Sequence, residues 1–141
     1  MIKFETIGAI TAAKNNPTIT SNSAVKNYTF LTYEGTLYLV MNVINGDDSY
    51  VDDITIPAGE FLRGIDVKSI EGLKLIVDGK HVTYASGKTV ADIEKDDILT
   101  VGNDGKLAVA ESAPNSGVYF TVTKTGVKLT EAAFVAKVCV A

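Results

Sequence analysis

Short apolar runs separated by turn residues dominate the chain from residue 28 onward. Val, Ile, Thr and Tyr are abundant in these runs, and β-branched and aromatic residues favour strands. Gly, Asp and Asn recur between the runs at short intervals, which is typical of a compact antiparallel β protein. The pattern therefore predicts a mainly β fold, either a β-barrel or a β-sandwich, with at most one or two short helical turns.

Three hairpins are predicted where a turn sequence separates two such runs. The paired runs are residues 28–33 with 36–44, residues 73–77 with 81–84, and residues 98–101 with 106–110. There is little alternation over residues 36–41, which favours a central strand that is buried on both faces.

Further elements follow from the same reasoning. Residues 54–56 and 61–67 are predicted as strands, and residues 118–123 alternate cleanly between apolar and polar positions. We expect a turn at residues 124–126 and a last strand over residues 134–140. A helical turn near residue 90 is predicted to begin at Thr89 as its N-cap.

Residues 1–27 differ in composition from the rest of the chain, because Ala, Asn, Ser and Thr are frequent there. Asn15, Asn16 and Pro17 form a break signal. We expect residues 1–27 to be an N-terminal arm or extended segment, followed by a single β domain over residues 28–141. An ordinary first strand followed by a long loop is the alternative.

Length and charge narrow the class of protein. A chain of 141 residues is expected to form one domain. Its net charge of −4 argues against a nucleic-acid partner, since that binding depends on Lys and Arg at the phosphates. The longest apolar run, residues 37–43, is far shorter than the ~20 residues that cross a bilayer, so no membrane partner is expected. Residues 1–10 lack the apolar core of a signal peptide, which favours synthesis in a cytoplasm.

An acidic stretch supplies the one candidate metal site. Asp47, Asp48, Asp52 and Asp53 lie close together in the sequence and offer oxygen ligands of the kind that Ca²⁺ prefers. The spacing does not match the EF-hand calcium loop, because no Glu closes it at the twelfth position. The alternative is a solvated turn between strands, where Asp is common.

The other reactive side chains do not form a catalytic pattern in the sequence. His81 and Cys139 are the single histidine and the single cysteine, and neither lies in a catalytic signature. The four carboxylates within residues 92–97 are interpreted as a charged connection leading into the next strand rather than as an acid–base pair. We therefore expect a protein that is not an enzyme and that needs no cofactor.

Two segments carry a resemblance to known proteins. Residues 91–101 followed by 105–110 are similar to small β-rich virion proteins of tailed bacteriophages, in which an I-x-K-(G/D)-D-(I/V) entry leads into a hairpin. Asp96 stands where such entries commonly have glycine. Residues 126–138 resemble the ending of phage head decoration proteins, which stabilise capsids.

The resemblance implies a cement protein. Such proteins bind the outside of the expanded capsid, commonly as trimers, and hold neighbouring major capsid subunits together. The implied partners are the major capsid protein and two further copies of this chain, on the surface of a virion, with residues 1–27 helping to grip the capsid. Two alternatives stay open: another virion component, such as a head fibre base, tail or baseplate protein, or a Ca²⁺- or carbohydrate-binding β module that uses residues 47–53.

Overall fold

The computed structural model describes residues 1–6, 12–42 and 54–141. Within these ranges the chain is mainly β, as the sequence predicts, and the paired strands are antiparallel. The strands are β1 (Ile2–Phe4), β2 (Asn15–Ile19), β3 (Val25–Lys26), β4 (Phe30–Tyr33), β5 (Thr36–Val40), β6 (Thr55–Ile56), β7 (Leu62–Asp66), β8 (Lys74–Asp78), β9 (Ile98–Val101), β10 (Leu107–Ala110), β11 (Val118–Lys128) and β12 (Ala132–Val140).

The strands form three sheets. The larger sheet has six strands in the order β1-β8-β12-β11-β9-β10, the second has four in the order β2-β7-β5-β4, and β3 pairs with β6. Strands from the larger and the four-stranded sheet contribute to one principal core, so these two sheets form a sandwich. The sheets do not close into a barrel over the described residues.

Two apolar cores lie on opposite faces of the four-stranded sheet. In the principal core, Phe30 from β4 meets Phe120 from β11 edge-to-face, with ring centroids 5.4 Å apart. The second core holds Ile19, Val40 and Ile56 and brings β3 and β6 against the sheet. The four-stranded sheet is therefore covered on both sides, whereas the larger sheet buries the face that carries Phe120.

Two of the three predicted hairpins are confirmed. In β4–β5 the two turn residues Glu34 and Gly35 both have positive φ, at 49° and 79°, as a type I′ turn requires. The β9–β10 hairpin pairs Val101 with Leu107 across the predicted turn. The predicted central strand is also confirmed, since β5 lies between β4 and β7 and buries neighbouring residues in the two different cores.

The third predicted hairpin is wrong. β8 is not paired with residues 81–84 but with β1 and β12. After β8 the chain makes a short 3-10 helix, Gly79–His81, and Val82 then forms a parallel bridge with Leu107 at the start of β10. Residues 81–84 do not pair with β8 because β1 and β12, which come from distant parts of the sequence, already pair with its two edges.

The turn predicted at residues 124–126 is also wrong. β11 continues to Lys128, and two irregularities in its pairing with β12 absorb the extra residues. The chain reverses at residues 129–131 instead, where the Leu129 N–H donates to the Glu131 carbonyl at 3.0 Å. β-Bulges let a strand bend without ending, so the glycine at position 126 does not stop it. The last strand is confirmed as β12.

Three short 3-10 helices are described, compared with the one or two predicted: Val67–Ile70, Gly79–His81 and Val90–Asp92. The last begins as predicted at Thr89. The Thr89 hydroxyl accepts from the Ala91 N–H, and the Asp92 carboxylate accepts from the Thr89 N–H, which forms a capping box.

Three strands within the described part of residues 1–27 pair into the sheets rather than project as an arm. β1 is an edge strand of the larger sheet, where Ile2 and Phe4 are buried in the principal core. β2 pairs with β7, and β3 pairs with β6. The segment is extended. Burying the apolar side chains of β1 lowers the free energy of the folded state, so the residues of β1 belong to the folded domain.

Candidate functional site

The predicted calcium ligands Asp47, Asp48, Asp52 and Asp53 lie outside the described residues. Over residues 1–6, 12–42 and 54–141, no three His, Cys, Asp or Glu side chains cluster in a way that would hold a metal ion. The calcium hypothesis therefore stays a prediction.

Two of the four carboxylates within residues 92–97 cap local backbone turns. Asp92 accepts a hydrogen bond from the Thr89 N–H at 2.9 Å, and Asp97 accepts one from the Glu94 N–H at 2.9 Å. Short acidic side chains commonly satisfy backbone donors in this way. These contacts agree with a connecting segment that leads into β9.

A buried carboxylate, Asp78, gathers groups from two distant parts of the chain. Its Oδ2 accepts from the amino group of Met1 at 3.0 Å and from the Thr130 hydroxyl, and its Oδ1 accepts from the Thr130 and Glu131 N–H groups at 3.2 and 3.3 Å. The Nε2 atom of His81 lies 2.7 Å from the Met1 nitrogen. We call these five residues the Asp78 cluster.

Hydrogen bonding dominates the electrostatics of the Asp78 cluster. Burial alone raises the pKa of Asp78, but hydrogen bonds from Thr130, the Met1 amino group and Glu131 outweigh it, and the pKa is below its ordinary value. The carboxylate is fully buried and therefore depends on these donors. Because an ammonium group can only donate, His81 Nε2 is its acceptor. The cluster thus joins β1, the end of β8 and the β11–β12 turn.

The structure does not bring Cys139 and His81 together as a nucleophile and a base. His81 contacts Met1 and meets the ring of Tyr28 edge-on, with centroids 5.7 Å apart. Cys139 lies on β12, where its Sγ is 3.6 Å from the Thr121 hydroxyl. These contacts place His81 in a structural cluster and Cys139 on a sheet surface.

Among the described residues, an open groove of about 540 Å³ lies beside the Asp78 cluster and is here called the inter-sheet groove. It is lined by Ser21, by residues 23–31 and 80–81, and by the β9–β10 turn at residues 103–106. The groove therefore runs along the edge of the sandwich where β4 approaches the β9–β10 hairpin.

Two backbone features shape the floor of the groove. Tyr28 has a left-handed backbone, with φ of 63°, and donates its N–H to the Val40 carbonyl at 2.8 Å. Gly105 has φ of 78°, and its carbonyl accepts from the Phe30 N–H at 2.9 Å. A Cβ atom at Gly105 would lie 2.4 Å from the Thr29 methyl carbon, so only glycine allows this close approach.

The chemistry of the inter-sheet groove is polar. Lys26, Lys80 and Lys106 face a single described carboxylate, Asp104. Hydrogen bonds from the Thr83 hydroxyl and the Lys106 N–H lower the pKa of Asp104. Exposed lysines and amide groups suit contact with a polar or anionic surface. The groove provides binding groups on the outside of the fold rather than an enclosed cavity.

Sequence reasoning missed the Asp78 cluster. Asp78 is followed by Gly79 and Lys80, which is a common turn sequence, and nothing local distinguishes a buried aspartate from an exposed one. The one available signal is that Asp78 directly follows the continuous apolar run of residues 75–77. The partners of Asp78 lie at least 50 residues away, so the cluster becomes visible only in the fold.

No helix among the described residues has the length and apolar character needed to span a membrane. Comparison with known proteins finds no matching family model, no matching curated protein and no matching solved structure.

Proposed function

We propose that the chain is a non-enzymatic virion structural protein that binds the outer surface of a phage capsid and bridges major capsid subunits. The proposal starts from the resemblance of residues 91–110 and 126–138 to phage decoration proteins. Its location would be the capsid surface, after synthesis in the host cytoplasm.

One structural observation carries the proposal beyond the sequence. The two resembling segments are separated in the chain, yet they contribute to four adjacent strands of the larger sheet, in the order β12-β11-β9-β10. β9 pairs with β11 through Phe120 and Leu99, a part of β11 that precedes the second resembling segment, so the two segments share one sheet without pairing directly with each other. A resemblance that maps onto one sheet supports a shared architecture more strongly than two scattered matches would.

The backbone at Asp96 gives further support. Asp96 stands where the resembling entries commonly have glycine, and its φ of 74° is in the left-handed region that glycine adopts most easily. Aspartate is one of the few other residues that visit this region routinely. The substitution is therefore compatible with the same turn geometry at the entry to β9.

The test is binding to shells assembled from the major capsid protein encoded in the same genome. The purified chain should co-sediment with expanded, undecorated shells and raise the temperature at which they break. Unexpanded shells are the control and should bind less. Expanded shells that stay bare with the chain in excess would overturn the proposal.

The native mass separates this function from the other virion roles. A decoration protein is expected to form a small closed oligomer, and the resemblance implies about three times the chain mass of 15.0 kDa. Light scattering after size exclusion measures this directly. Long polymers would favour a tail component instead.

A further inference from the structure

Charge is distributed unevenly between the larger sheet and the rest of the chain. The six strands of that sheet contain five lysines and one carboxylate, Asp78, which is buried and bound internally. The whole chain has 13 basic and 17 acidic residues, so eight basic and 16 acidic residues lie outside these strands. A chain with net charge −4 thus presents a basic sheet.

Four of these lysines belong to the outer face of the larger sheet. The alternate residues Leu75, Val77, Phe134 and Ala136 are in the principal core, so their neighbours along β8 and β12 point outward. The register sets Lys74 opposite Lys137, and it sets Lys3 opposite Ile76. We call Lys3, Lys74, Lys124 and Lys137 the lysine face.

The carboxylates nearest in register to the lysine face lie at its borders: Glu5 follows β1, with its N–H donating to the Lys74 carbonyl at 3.0 Å, and Asp97 precedes β9. All four lysines are exposed, and none of their ammonium groups forms an ion pair in the described part of the chain. Lys74 and Lys137 are direct cross-strand partners, an arrangement in which like charges destabilise a sheet. An acidic surface placed against this face would offset that repulsion.

The same face also carries less polar positions beside its lysines. Val135 pairs with Ile76 and Lys124, and Thr121 pairs with Lys137 and Ile98. Val135 is buried, and Ile76, Ile98 and Thr121 are half-buried. Apolar and hydroxyl-bearing positions next to charged side chains are compatible with a protein interface.

A complementary acidic surface exists on the same chain. β9 begins and β10 ends at one end of the hairpin, where Ile98 pairs with Ala110. The flanking residues carry five carboxylates and one lysine, Lys95. We call the carboxylates at this site the acidic end: Asp92, Glu94, Asp96, Asp97 and Glu111.

We propose that the acidic end of one copy docks on the lysine face of a second copy. The two surfaces differ, so the contact is heterologous and repeats head to tail, which closes into a ring or extends as a chain. The occupant is a second copy because the chain itself carries both complementary surfaces. This inference concerns self-association and stands independently of capsid binding.

The first experiment measures native mass by light scattering at about 0.05 M and about 1 M salt, since the Debye length falls to about 3 Å at 1 M. Self-association should weaken at high salt. Lys74→Glu with Lys137→Glu should weaken it at least about tenfold at low salt, because like charges then meet across the contact. Lys14→Glu with Lys88→Glu makes the same charge change at exposed sites outside the sheet and should leave the mass unchanged.

A charge exchange gives the decisive measurement. Glu94→Lys with Glu111→Lys should also give a folded chain that fails to associate, since neither side chain takes part in a described hydrogen bond. Mixing this variant with the Lys74→Glu, Lys137→Glu variant should restore association. The unchanged acidic end of one variant then meets the unchanged lysine face of the other, and the introduced lysines meet the introduced glutamates.

Unchanged thermal melting of each variant shows that the fold is intact. The proposal is overturned if the wild-type chain is monomeric at low salt, if the lysine-face variant keeps its oligomeric mass, or if the mixture of folded variants stays monomeric. Capsid binding is scored separately by co-sedimentation, so its failure is distinguishable from loss of self-association.

Discussion

Asp78 and Asp104 use the same local chemistry in different surroundings. Each carboxylate accepts a hydrogen bond from a threonine hydroxyl, that of Thr130 for Asp78 and that of Thr83 for Asp104, and hydrogen bonding lowers the pKa of both. Asp78 is fully buried, whereas Asp104 is exposed. Burial removes the competing water, so the same hydrogen bond carries more stability at Asp78 than at Asp104.

The largest expected effect follows from removing the buried carboxylate. Asp78→Ala should lower the free energy of unfolding by about 3 kcal/mol or more, because an ammonium group, a hydroxyl and two backbone N–H groups lose their acceptor. Urea denaturation measures the loss. Asp104→Ala is the matched control and should change the free energy by no more than about 0.5 kcal/mol. Equal losses in the two variants would contradict the role assigned to burial.

The turn that contains Asp104 should depend on its glycine more than on its carboxylate. Gly105→Ala should cost about 2–3 kcal/mol, since the new Cβ combines a left-handed backbone with contacts at 2.4 Å to Thr29 and 2.9 Å to Phe30. Gly117 has a similar φ of 86° and open space around it, so Gly117→Ala should cost only about 1 kcal/mol. Thermal denaturation of the two variants compares them, and equal losses would show that the close approach at Gly105 is unimportant.

The Thr130→Val substitution should change the pH dependence of stability more than the matching substitution beside Asp104. The pKa of Asp78 is lower in the folded chain than its ordinary 3.8, so its ionised form stabilises the fold above that pH. This contribution is lost as the pH falls through the folded-state pKa. Removing the Thr130 hydroxyl should cost about 1–2 kcal/mol at neutral pH and less in acid, where Asp78 is protonated. Thr83→Val should lower the free energy of unfolding only slightly at every pH. A loss of stability for Thr130→Val that does not change with pH would contradict the role of its hydrogen bond to ionised Asp78.

The smallest expected effect concerns Tyr84, which lies between the two regions. Its hydroxyl donates to the Gly79 carbonyl at 2.6 Å, and burial together with the Glu131 charge raises its pKa to about 12. Because the ordinary value is 10.0, stability should fall as the pH rises above about 10. Tyr84→Phe should cost about 1 kcal/mol at neutral pH. Absorbance titration at alkaline pH should lose one late-ionising tyrosine in this variant, and an unchanged titration would refute the shift.

Elements with local causes could be predicted from the sequence. The β4–β5 hairpin follows from a two-residue turn in which Gly35 adopts positive φ at little steric cost, and Thr89 caps its 3-10 helix through neighbouring donors. The alternation that begins at Val118 correctly indicates β11, and the last strand is also correct. In each case the deciding contacts lie within a few residues.

Elements with distant causes could not be predicted. β8 resembles the first half of a hairpin, yet its partners are β1 and β12, at opposite ends of the chain. The turn sequence at Gly126 is absorbed by irregularities that depend on the pairing with β12. The inter-sheet groove likewise needs Gly105 and Phe30 to meet across the sandwich.

The sequence by itself determined the β class and the local turns, because these depend on residue type and short-range geometry. The tertiary structure alone decided that residues 2–4 join the larger sheet, that Asp78 is buried among donors, and that four lysines from four strands share one face. The reason is the register. Strand pairing joins residues across the whole chain, and a shift of one residue would exchange the buried and the exposed faces.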